Sequence, residues 1–162
     1  MLAKSLPRPH LASEKEAPMQ SRLIPLMALA LSLAPALVHA EDAKDPDVKA
    51  RIALMQSFKA QTKVLGLAAT GKAAFDPAQI EATIAALRDG AAKVGPAFKT
   101  PADDPESTAQ PAIWTARSEF RQKTNRLIKA VEELDGSDAG ALARTLEPVT
   151  AACKDCHGRF KM

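Results

Sequence analysis

The sequence predicts an all-α fold, an antiparallel up-down-up-down four-helix bundle. Three observations carry that expectation. Apolar residues recur at threes and fours in four separate stretches, the spacing that lines one face of a helix. Helix start and stop residues bracket those stretches. No segment shows the period-two alternation of a strand.

The first stretch opens at Asp45-Pro46, an N-cap followed by proline at the first helical position. Its inner stripe is Val48, Ile52, Met55, Phe58, Thr62 and Leu65, and it should end near Gly71. The second repeats the opening with Asp76-Pro77, buries Ile80, Ile84, Leu87, Ala91 and Val94, and should stop at Gly95-Pro96. Residues 95–110, rich in Pro, Asp, Ser and Thr, form the one long connection. Pro111 starts the third stretch, with Ile113, Ala116, Phe120, Thr124, Leu127, Val131 and Leu134 running down to Gly136. The fourth begins around Ser137-Asp138 and has the most regular stripe: Leu142, Leu146, Val149, Cys153, Cys156 and Phe160. Pro148 lies inside it, where a proline removes a hydrogen bond and clashes with the preceding turn, so a kink or break is expected there. Helices of about 20 residues are about 30 Å long. Four of them around a shared apolar seam make the bundle, and Ala68, Ala69, Ala85 and Ala86 allow close approach.

The chain's two cysteines both lie in Cys153-Lys154-Asp155-Cys156-His157. A C-x-x-C-H run reads as a c-type haem attachment site. The chemistry needs two thiols to add across two vinyl groups and an imidazole immediately after them, beneath the iron. On a helix the cysteines stand one above the other on the same face, as two anchors on one edge of a flat ring require. Other chemistries fit less well. A disulfide between i and i+3 of a helix would be strained. A thioredoxin-like pair wants a βαβ context, and structural zinc wants four ligands, which adjacent Cys156 and His157 supply poorly. Both cysteines fall on the core-facing line, so the expected bundle holds a covalently bound haem c, one per chain, among its helices.

Arg22, the apolar run Leu23–Val38 and His39-Ala40 form a positive, an apolar and a small-residue region, the pattern of a secretory signal peptide cleaved after Ala40. Residues 1–40 are therefore an N-terminal extension and leader, with Met19 read as the true start, and residues 41–162 are one domain. The apolar run contains Pro25 and Pro35 and is short for a membrane span, so no stable span is expected in the mature form. Export to the periplasm agrees with covalent haem attachment, which occurs outside the bacterial cytoplasm. The leader removes four basic and two acidic residues, leaving 18 basic against 17 acidic side chains and a net charge of +1. Nothing in that balance argues for nucleic acid.

Processing also narrows the choice of a second axial ligand. His10 and His39 leave with the leader, so His157 is the mature chain's sole histidine. Of the two remaining methionines, Met162 follows His157 by five positions on the same side of the ring and cannot reach the other face. Met55, on the inner stripe of the first helix, is the one plausible soft sixth ligand, although methionine is also an ordinary core filler.

Arg51-x-x-x-Met55, Phe75-Asp76, Pro111-x-x-Trp114 and Cys153-x-x-Cys156-His157-x-x-Phe160-Lys161 together resemble the class II cytochromes c, the family of cytochrome c′ and the cytochrome c-556 type, from about Val48 to Lys161. The resemblance implies thioethers at Cys153 and Cys156, His157 as the proximal iron ligand, and position 55 as the distal residue. In typical cytochrome c′ that residue is apolar and does not ligate; in the c-556 type it is a methionine, as here. Arg51 would lie near a haem propionate. The family often pairs through its first two helices, and Ala53, Ala60 and Ala82 would permit a homodimer. The sequence departs from the family with Lys161 where arginine is frequent and Phe160 where tyrosine is.

The function expected is that of an exported carrier, not an enzyme, which passes one electron between redox proteins through a His/Met-ligated haem. Lys154, Arg159 and Lys161 could steer an acidic partner. The alternative is a five-coordinate binder of nitric oxide or carbon monoxide. A thiol-disulfide oxidoreductase without haem is a third class.

Overall fold

The computed structural model describes residues 43–162; the leader, its start at Met19 and its cleavage after Ala40 lie outside the described residues. Five helices follow in order: α1 (Pro46–Ala69), α2 (Pro77–Ala97), the single turn α3 (Ala112–Thr115), α4 (Arg117–Glu132) and α5 (Ala139–Phe160). Among the described residues there is no strand, only an isolated antiparallel bridge between Ala109 and Lys161. None of the described helices is long and apolar enough to cross a membrane.

The helix starts follow local chemistry. Asp45 accepts from the amides of Asp47 and Val48 at 2.8 and 3.1 Å, and Asp76 does the same for Ala78 and Gln79 at 3.0 and 3.3 Å. Asp138 caps α5 by accepting from Ala141 N at 2.9 Å. Each carboxylate satisfies donors that the first turn leaves unpaired. At the other end of α1, Gly71 takes the left-handed conformation (φ 69°) that a glycine adopts without steric cost.

α1 packs on α2 and α5, α2 on α4, and α4 on α5. The four long helices thus close into a ring in which each touches its chain neighbours, the packing of an up-down-up-down bundle. Leu65, Ile80, Leu87, Val131, Leu142 and Val149 fill its centre, all fully buried or nearly so. Phe160 from α5 meets Phe120 of α4 edge-on at 5.2 Å, and Phe120 meets Phe98 at 5.6 Å. That aromatic column has a physical reason to end in phenylalanine: Phe160 is buried, and a hydroxyl there would need a partner.

Three helix boundaries differ from the sequence expectation. The third helix divides at Ala116 (φ −115°, ψ 49°). On either side of that break, Trp114 Nε1 and Arg117 Nη1 both donate to the carbonyl of Phe98, at 3.1 and 2.8 Å, a long-range anchor to the end of α2. α2 runs through Pro96, and α5 runs unbroken through Pro148. Both prolines are exposed, so the carbonyl each leaves without an amide partner faces water rather than the core.

The long connection is tied down more than its composition suggests. The buried carboxylate of Asp104 accepts from Lys44 N (2.7 Å), Asp45 N (2.9 Å) and Glu106 N (2.9 Å), joining the connection to the start of α1. Gln110 N donates to Phe160 O and Met162 N to Thr108 O, each at 2.9 Å, and these bonds pin the chain's tail to the same connection.

Candidate functional site

A cavity of about 180 Å³ opens between the helices. α1 supplies Met55, Phe58, Lys59 and Thr62 to its wall; α2 supplies Val94; α4 supplies Lys123, Thr124 and Leu127; α5 supplies Cys153, Cys156 and His157. Four of the five residues singled out in the sequence therefore meet at one place. α1 and α5 are neighbours in the ring, which brings position 55 and the C-x-x-C-H run together across nearly a hundred residues of chain.

The thiols are half-buried and unbridged. Burial raises the pKa of Cys153 above its ordinary value. Burial also raises Cys156, with the charge of Lys123 opposing. Such thiols stay protonated at neutral pH, unlike the thiolates that drive disulfide exchange. His157 is exposed. Partial burial of its ring, and then the charge of Lys161, lower its pKa, which favours the neutral imidazole that binds metals.

Arg51 stands apart from the cavity wall, one turn before Met55 on α1, and it is buried to 4% exposure. Its Nε donates to Ala97 O at 2.8 Å and its Nη2 to Thr100 O at 2.6 Å. The guanidinium stacks between Phe98 and Trp114, 5.1 and 5.5 Å from their centroids. Nη1 is buried with no hydrogen-bond partner. Ile52, on the expected inner stripe, is half-buried and does not line the cavity; Phe58 and Thr62, a turn and two turns beyond Met55, line it instead.

Lys123 and Thr124 were not singled out as site residues in the sequence. Thr124 sits on the α4 core stripe and could have been found from it. Lys123 is off that stripe and reads as one more solvated charge.

The donor set suits a c-type haem. It offers two neutral thiols one helical turn apart, a neutral imidazole beside the second, a thioether from another helix, and apolar walls between them. The fold and this cavity define a helical-bundle protein whose wall carries the donors that a c-type haem requires. The comparisons agree. A cytochrome c′ family profile matches residues 47–161. Cytochrome c′ of Rhodopseudomonas palustris is 28% identical over 116 residues, 68% of this chain and 78% of that protein. Cytochrome c′ of Rubrivivax gelatinosus is 32% identical over 99 residues, 57% of this chain and 76% of that one. The structure of a ferrous variant of cytochrome c prime from Alcaligenes xylosoxidans with bound NO superposes with a TM-score of 0.65 at 26% identity, covering 76% of this chain and 96% of that one.

The chain belongs to the cytochrome c′ family of class II cytochromes c. It is a c-type cytochrome with one covalent haem c.

Proposed function

We propose that this cytochrome is exported to the periplasm as residues 41–162 and carries one electron between redox proteins. In this reading Cys153 and Cys156 hold the haem by thioether bonds, His157 is the proximal ligand and Met55 the distal one, as in the c-556 type. The observation that carries it is the shared cavity wall: Met55 from α1 lines the same space as Cys153, Cys156 and His157 from α5.

The haem supplies a one-electron couple, whose potential histidine–methionine ligation raises. The chain's residues do the rest. His157 and Met55 would hold the iron from two different helices, a pairing that would suit one-electron transfer with little reorganisation. Phe58, Val94 and Leu127, apolar residues of the cavity wall, would exclude water from the group held there. Arg51 supports the site from α1, its unpartnered Nη1 being a donor suited to a propionate. Lys154 and Lys161, both exposed, would offer positive charge beside the C-x-x-C-H run to an acidic partner, as would Arg159, which shares its charge with Glu119 at 3.4 Å. Exposed Ala53, Ala60 and Ala82 on α1 and α2 support pairing of two copies through those helices. No step calls for a catalytic group.

A second reading has its own support. The related Alcaligenes xylosoxidans protein has been solved with bound NO, so a distal face left open by Met55 would make this chain a binder of nitric oxide or carbon monoxide. The optical spectrum of the purified holoprotein separates the two. The carrier reading predicts a six-coordinate low-spin spectrum that becomes high-spin in Met55→Leu. A wild-type ferric spectrum already high-spin, with rapid carbon monoxide uptake on reduction, removes the carrier and leaves the gas binder.

A further inference from the structure

Lys123 lines the cavity beside Cys153, Cys156 and His157, yet its side chain is only 12% exposed. Its Nζ donates at 2.7 Å to Asp155 Oδ1, and Asp155 is the residue that immediately precedes Cys156. Arg126 Nη1 reaches the other carboxylate oxygen at 3.3 Å from the solvent side. α4 therefore holds α5 inside the C-x-x-C-H run through a nearly buried cation and a half-exposed anion. A charge in such a poorly hydrated wall acts on its neighbours more strongly than one at an open surface.

We propose that Lys123 and Asp155 set the reduction potential of the bound haem, Lys123 raising it and Asp155 limiting the rise. Reduction adds one electron to the site. An ammonium in the cavity wall favours that added negative charge, and a carboxylate held against the ammonium subtracts from the effect. The proposal rests on haem attachment at Cys153 and Cys156, as proposed above. It differs from a purely mechanical role for the pair. A clamp would be loosened alike by cutting the same hydrogen bond from either end, whereas opposite charges displace the potential in opposite directions.

Potentiometric titration of the exported holoprotein, with haem content measured on the same samples, tests this. Lys123→Gln and Asp155→Asn each remove a charge while keeping a polar group; Lys123→Arg keeps the charge. The midpoint potential should fall in Lys123→Gln, rise in Asp155→Asn and stay at the wild-type value in Lys123→Arg, with one haem per chain throughout. Shifts of the same sign in the first two variants, no shift in either, or loss of attached haem in both would overturn the proposal in favour of a clamp or of no role. A wild-type protein without covalent haem would instead defeat the attachment reading on which the proposal stands.

Discussion

At the residue scale, Arg51 shows how one buried side chain can tie a helix to the connection that follows its neighbour. Its guanidinium satisfies the carbonyl of Ala97 at the end of α2 and that of Thr100 just beyond it, and lies close to two aromatic rings. Arg51→Met keeps much of the volume but strands both carbonyls. An acceptor that water cannot reach costs about 1–3 kcal/mol when its donor is lost; Ala97 is half-buried and Thr100 exposed, so the variant should lose about 1–3 kcal/mol, read as a lower midpoint in denaturant. Met55 behaves differently. It is only half-buried and packs at the rim of the core, so Met55→Leu should change stability by less than about 1.5 kcal/mol while altering the haem spectrum. A variant that changed stability strongly and the spectrum not at all would mark Met55 as packing only.

At the scale of elements, the joints between helices are where substitutions should tell most. Gly136 lies between α4 and α5, and a Cβ there would stand 2.8 Å from Ile80 Cγ2 and 3.0 Å from Ile84 Cδ1. Both isoleucines are buried core of α2, so Gly136→Ala should destabilise by about 1–3 kcal/mol through overpacking. Pro148→Ala should act in the other direction. The residue is exposed and inside a continuous helix, so alanine restores an amide donor without losing packing and should raise the thermal midpoint. Helix starts were legible in the sequence because an Asp-Pro pair carries its own capping chemistry within a few residues. The break at Ala116 was not legible, since its anchor is the carbonyl of Phe98, 16 and 19 residues from its two donors. Pro96 and Pro148 misled for a related reason: sequence gives the proline, but not whether its face of the helix meets water. The same limit governs the site. Cysteine, histidine and methionine declare their chemistry by type and spacing, whereas the Lys123–Asp155 pair spans 32 residues and looks like surface charge until α4 and α5 are packed.

For the whole molecule, acid is the condition that tests several of these ties at once. Asp104 is held below the ordinary carboxylate value of 3.8, chiefly by the amide of Asp45. Asp135 is lowered by Ser137, through its side chain and then its backbone, and Asp155 chiefly by the side chain of Lys123. Each of these groups binds its proton less tightly folded than unfolded. Its contribution to stability is therefore complete above the unfolded value and is lost as pH falls through the lower folded value. Unfolding followed against pH should show stability falling away below about pH 4, and Asp104→Asn should make that acid limb shallower. An unchanged limb would mean that the tie between the long connection and α1 carries no acid sensitivity.

The claim beneath all of this is that Cys153 and Cys156 bind the haem covalently in an exported chain. Intact-mass measurement of the protein recovered from the periplasm tests it most directly. The account predicts the mass of residues 41–162 plus one haem, with the addition mapping to the C-terminal peptide and lost when both cysteines are replaced by alanine. A bare polypeptide mass with two titratable thiols would contradict it.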